Sequence, residues 1–247
     1  MSMIRLTLAV VFMLLAERAI AETSASARYN ACMEKVARYP KDAFEDAIQW
    51  RDMGGGGGAA EHCAASALIA LGLFKDAAVR LENLAQRIRE EPAFKAELLG
   101  QAAQTWLLAE MPARAEAVAT AALKLRPGDI ELLLDRAQAR AALADYAKAN
   151  EDLDAVIIRD PGRADAFAFR AAAKRFLDDR AGALVDVERA LALDLNHAPA
   201  LLERGNLRRM AGNDAGARAD WLMVLSISPD GVAADAARAN LEKMDVK

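Results

Sequence analysis

Residues 130–163 read IELLLDRAQARAALADYAKANEDLDAVIIRDPGR, and residues 164–197 read ADAFAFRAAAKRFLDDRAGALVDVERALALDLNH. Set one beneath the other, these 34-residue windows share an arginine at position seven (Arg136, Arg170) and an alanine at position eight (Ala137, Ala171). They also share an alanine at position twenty (Ala149, Ala183) and an aspartate at position twenty-three (Asp152, Asp186). The same spacing continues into windows starting at Ala96 and Ala198, with Ala103 and Gly205 eighth and Ala115 and Ala217 twentieth. Pro127, Pro161 and Pro229 close three of the four windows at one position, where the other has Leu195. Small residues recurring at two fixed places are what two antiparallel helices require where they approach most closely. A period of this length marks one helical hairpin repeated along the chain.

Backward extension gives a window at Gly58, lengthened by four residues between Arg87 and Ala96, and another at Ser24. Both keep the small residues, as Ala65 with Ala77 and Ala31 with Ala43. The expected organisation is a degenerate first hairpin with a glycine-rich loop over 22–57, then repeats over 58–95, 96–129, 130–163, 164–197 and 198–231. A closing helix over 232–247 would place Ala233, Ala237, Leu241 and Met244 on one face.

Composition agrees with helix. The chain has 247 residues, 59 of them alanine, the strongest helix former, and is 54% hydrophobic but only 5% aromatic. An all-β fold is excluded. A charged fraction of 28% and a mean hydropathy near zero exclude a multispanning membrane protein and a disordered polyelectrolyte. A net charge of −4 provides no bulk attraction to nucleic acid, and no nucleic-acid partner is expected.

The N-terminus has Arg5, an apolar run from Leu6 to Ala16, and small residues at Ala19 and Ala21. It reads as a secretory signal over residues 1–21, cleaved after Ala21, which directs the chain to the periplasm or beyond. The run is too short to span a bilayer. Glu17 and Arg18 are unusual in a cleavage region and leave open an uncleaved anchor, the one route to membrane attachment. Cys32 and Cys63 are the only cysteines, and an even count in an oxidising compartment points to a disulfide. Free buried thiols, or a metal held with His62, are the competing readings.

The repeat resembles the tetratricopeptide repeat (TPR) over nearly the whole mature chain. The best windows carry Ala137, Asp145-Tyr146, Ala149 and Asp160-Pro161, and Gly205, Ala217 and Pro229; the large packing residue near each start is Leu99, Leu133, Phe167 or Leu201. The first two windows depart, with Ala27 and Glu61 at that place. The resemblance implies an all-α, right-handed superhelical solenoid of helix-turn-helix hairpins. It also implies that the positions of Cys32 and Cys63, on the first helices of adjacent hairpins, face one another on the inner surface. Their Cα atoms should then lie within about 7 Å.

The glycine run Gly54–Gly58 could offer amides to a phosphate, but no Lys-Ser or Lys-Thr follows it. The favoured reading is a flexible link that leaves the first hairpin loosely attached, stapled only by the disulfide. Arg136, Arg170 and Arg204 could form an anion-binding ladder. Asp152, Asp186 and Asp220 at the same period favour internal ion pairs instead.

Positions six, nine, twelve and thirteen fall on one stripe of the first helix and should line the inner, concave face. They give Gln101, Gln104, Asp135, Gln138, Phe169, Arg175, Phe176, Asn206 and Arg209 as candidate partner-binding residues. Amides can pair with a peptide backbone, phenylalanines offer apolar contact, and arginines can meet acidic groups. The alternative is that the two phenylalanines complete the core and the polar residues are a solvated face. Some TPR proteins hold a partner's C-terminal carboxylate with a Lys, Asn and Arg set on this face. Only Asn206 matches it here, so capture of that kind is not expected.

Catalysis is not expected. There are two histidines, His62 and His197, and neither HExxH nor GxSxG; His197 falls in an interhairpin link, where an exposed turn residue is the simpler reading. No metal, cofactor or small-molecule substrate is expected. Two functions follow: an envelope adaptor binding a peptide or protein segment through the concave face, or a structural or membrane-tethered accessory subunit using its outer face or terminal hairpins.

Overall fold

The computed structural model describes residues 25–88 and 91–245, all as helices and short connections. The signal expected over 1–21 lies outside them. Thirteen helices occur among the described residues: α1 (25–38), α2 (Pro40–Asp52), α3 (Gly57–Ala70), α4 (Phe74–Arg87), α5 (Pro92–Leu108), α6 (Pro112–Leu125), α7 (Ile130–Ala142), α8 (Tyr146–Arg159), α9 (Ala164–Phe176), α10 (Arg180–Leu193), α11 (Ala198–Met210), α12 (Asp214–Ile227) and α13 (Val232–Asp245). The described chain is all-α, a succession of short helical hairpins. It divides into two compact units, α1–α5 within Met1–Glu110 and α6–α13 within Met111–Lys247.

Local chemistry sets the helix ends. The carboxylates of Asp129, Asp145 and Asp179 accept from the backbone N–H three residues on, and so does the amide oxygen of Asn213. Each satisfies a donor that the helix start would leave unpaired. Pro40, Pro92 and Pro112 begin α2, α5 and α6, where a missing N–H costs nothing. The turns inside the hairpins repeat too: Gly72, Glu110, Ala144, Asp178 and Gly212 all have φ between 56° and 79°, the left-handed region. Three of the five are not glycine.

The recurring small residues are buried: Ala103, Ala115, Ala137, Ala149, Ala171, Ala183 and Ala217 are at most 1% exposed. In the C-terminal unit, Phe167, Val187, Leu201, Trp221 and Val224 form a continuous core, which α13 closes with Ala237 and Met244. In the N-terminal unit, Cys32 and Cys63 are joined with Cα atoms 6.3 Å apart, packed with Ala47, Ala64 and Phe44.

Two expectations need correction. The glycine run is not a loose tether: Gly57 and Gly58 open α3, and Gly56 is buried beneath Trp50. A Cβ at Gly56 would sit 2.9 Å from the Trp50 ring and 2.4 Å from the Ala60 Cβ, so glycine is required there by contact. The first hairpin is therefore seated on α3 by packing as well as by the disulfide. His197 is not an exposed turn residue. It is buried at 9%, caps α11 by accepting from the Ala200 N–H at 3.2 Å, and its Nε2 lies 2.8 Å from an Asp165 carboxylate oxygen.

The lengthened second window also has an explanation. α5 has 17 residues where α7, α9 and α11 have 13, and it starts at Pro92 instead of Ala96. The four inserted residues become an extra helical turn that carries Phe94.

Candidate functional site

In the C-terminal unit the recurring charges close on themselves. Arg136 meets Asp152 with two hydrogen bonds of 2.6 and 2.9 Å, Arg170 meets Asp186 at 2.6 and 2.8 Å, and Arg204 meets Asp220 at 2.7 and 3.1 Å. One helical turn later a second cation reaches each aspartate: Arg140 at 2.7 Å, Lys174 at 2.8 Å and Arg208 at 2.7 Å. The three aspartates are buried, and the bond to Asp186 is the main cause that raises the Arg170 guanidinium above its usual range. Of the two readings of the arginine ladder, the structure has the internal pairs. The second cation of each clamp also recurs with the repeat, in the same 34-residue spacing that exposed the first.

The expected inner-face residues of this unit are unequal. Arg175 forms an ion pair with the buried Glu203, and Arg209 pairs with Asp214, so both guanidiniums already have carboxylates. Asn206 donates to Glu203 at 3.1 Å and accepts from Asn240 at 2.9 Å. Asp135 is buried, Phe169 is half-buried, and Gln138 is exposed. Phe176 is 54% exposed and stacks on Tyr146 with ring centroids 4.3 Å apart, beneath the Arg175 guanidinium. It is therefore a surface aromatic and not a core residue.

The N-terminal unit holds a different arrangement. Gln104 is exposed on α5, while Gln101 joins a relay across three first helices. The Tyr29 hydroxyl on α1 lies 2.9 Å from His62 Nδ1 on α3, and His62 Nε2 lies 2.8 Å from Gln101 Oε1 on α5. Because an amide oxygen only accepts, Nε2 carries the proton and donates, and the bare Nδ1 accepts from the phenol. Tyr29, His62 and Gln101 line a cleft of about 360 Å³ together with Phe94, Glu97 and Leu84. Burial, and secondarily the Glu97 carboxylate, push the Tyr29 phenol above its ordinary value of 10.0.

A second cleft of about 560 Å³ shares Gly58, Leu84 and Ile88 with the first and is bordered by Arg51 and Arg87. Between these arginines lies Glu61, buried at 7%, which receives Arg80 at 2.8 Å, Arg87 at 3.4 Å and Arg51 at 3.5 Å. This explains the charged residue at a place where the four later windows have a large apolar one. Sequence reasoning missed both clusters. Tyr29 and Gln101 do occupy the sixth position of their windows, and His62 the fifth, which was the available signal. Among the described residues no group of three or more His, Cys, Asp or Glu is placed to hold a metal ion.

Short antiparallel hairpins at a 34-residue period, with small residues at positions eight and twenty, make this the tetratricopeptide-repeat fold. No family model matches the chain, and no curated protein does. Solved structures match at the level of fold. A chain of an APC/C hetero-tetramer superposes with a TM-score of 0.66 at 15% identity, over 94% of this chain and 45% of that one. YrrB, described as a TPR protein with an unusual peptide-binding site, gives 0.59 at 20% identity over 75% of this chain and 95% of its own. MamA from Desulfovibrio magneticus RS-1 gives 0.57 at 18% identity, over 74% and 95% respectively.

Proposed function

We propose that this protein is a non-catalytic interaction module of the cell envelope, which binds an extended peptide or protein segment on the first helices of its hairpins. The observation that carries the reading is the cleft built by α1, α3 and α5. It is open, has apolar walls, and presents the Gln101 amide, whose NH₂ group stays available to a peptide carbonyl while its oxygen accepts from His62. Binding concentrates there because Arg175 and Arg209 are already neutralised in the C-terminal unit. The envelope location is supported by the apolar Leu6–Ala16 run and by the paired cysteines. Both histidines serve structural hydrogen bonds, which supports a binding role over a catalytic one.

A second reading has one observation in its favour. Val185 on α10 and Leu222 on α12 are 64% and 51% exposed on the second helices, as an accessory subunit using its outer face would require.

The test adds bulk to the lining of the cleft. A Cβ at Gly58 would meet Leu84 at 3.4 Å and Ile88 at 3.9 Å, both ordinary contacts, and Gly58 lines the cleft, so Gly58→Leu adds a side chain at its wall. The variant should keep its thermal transition and lose the partners that the native protein retains in affinity purification from envelope extracts. Undiminished capture by the folded variant would overturn the reading.

A further inference from the structure

The N-terminal cleft contains a carboxylate that no cation in the described structure neutralises. Glu97 is exposed on α5 and lines the cleft. Beside it, three residues earlier on the same helix, stands Phe94, 44% exposed, on the extra turn created by the four-residue insertion. Tyr29 supplies a second ring from α1 and lines the same cleft as Glu97.

An unpaired carboxylate next to two aromatic rings suits an organic cation, which gains an ion pair from one and the negative ring faces from the others. Leu84 and Ile88 give the apolar wall that the methylene stem of a long basic side chain would cover. In the adjoining cleft the charges are already paired, Arg51 with Asp52 and Glu61 and Arg87 with Glu61. The one unpaired carboxylate in the cleft, Glu97, matches a single cation.

We propose that this cleft receives one lysine or arginine side chain of an extended partner segment, with Glu97 pairing its charge, Phe94 and Tyr29 flanking it, and the Gln101 amide donating to the segment's backbone. The inference rests on the peptide-binding reading of the first-helix face and specifies what that face selects.

The test is an NMR titration of the full chain with three blocked tripeptides, acetyl-Ala-Lys-Ala-amide and its norleucine and glutamate counterparts. The lysine peptide should move the amide signals of Tyr29, Glu97 and Gln101 and bind about tenfold more tightly than the norleucine peptide. The preference should shrink with added salt. Glu97→Gln should abolish it while leaving norleucine binding unchanged, and Glu97→Asp should keep most of it. Equal binding of lysine and norleucine peptides, a preference that survives Glu97→Gln, or no shifts in the cleft would each overturn the proposal. If the lysine preference is absent but Gly58→Leu still eliminates partner capture, the selectivity is refuted and the adaptor reading stands.

Discussion

Single residues show where the repeat is strained and where it is wet. Ala144 holds φ at 60° in an exposed turn, a conformation costing an L side chain about 1 kcal/mol relative to glycine. Ala144→Gly should raise stability by about 0.5 to 1 kcal/mol in guanidinium unfolding. The reverse change, Gly212→Ala, should lower it by about 1 kcal/mol, because Gly212 has φ of 79° and open space around it, leaving backbone strain as the only cost. At Tyr29 the proton is the probe. Its folded pKa is raised, so its contribution to stability is complete below pH 10 and is lost as pH rises through the folded value. Ultraviolet titration of the native protein minus Tyr29→Phe should show one phenol ionising late. Glu97→Gln should lower that value only partway, because burial is the larger cause. Nothing in the sequence hints at this titration, since it depends on the burial of Tyr29 and on Glu97 from another helix.

At the scale of helices, hairpins are held by buried aspartates with two cations each. Asp186, 1% exposed, is shared by Arg170 and Lys174, and Asp186→Asn should cost about 3 kcal/mol by leaving Lys174 without a charge partner and Arg170 with only its more exposed one. Asp154 also meets Arg170 but is half-exposed, and Asp154→Asn should cost less than about 1 kcal/mol. Comparing the two by chemical denaturation separates buried from surface pairing. The disulfide closes a sequence separation of 31 residues, and its reduction should destabilise the N-terminal unit by roughly 3 to 4 kcal/mol, measured by melting with and without reductant. The helices and ion pairs of windows 130–231 were legible because every feature recurs at one spacing. The clamp on Glu61 was not, because Arg51, Arg80 and Arg87 come from unrelated places on α2 and α4 and nothing repeats them. The packed seat of Gly56 was hidden for a related reason. A glycine run reads as freedom until the Trp50 ring that demands it is in place.

Over the molecule as a whole, the regular and the irregular repeats divide between the two units. The C-terminal unit repeats faithfully, satisfies its charges internally and ends in a helix that covers its core. The N-terminal unit breaks the pattern three times, with the glycine run, the buried glutamate and the lengthened α5, and these departures surround the clefts. Of the expected partner-binding residues, Gln101 alone joins the relay there. Charge reversal at Arg175 is a poor test of binding, because it would place an acid against buried Glu203 and disturb folding. The most direct measurement is photo-crosslinking in native cells, with the reactive side chain placed at Ala59 in the cleft or at Val185 on the second-helix surface. The account predicts a discrete partner adduct from position 59, competed by excess unmodified protein, and none from position 185. An adduct from position 185 alone would contradict it and return the function to the outer face.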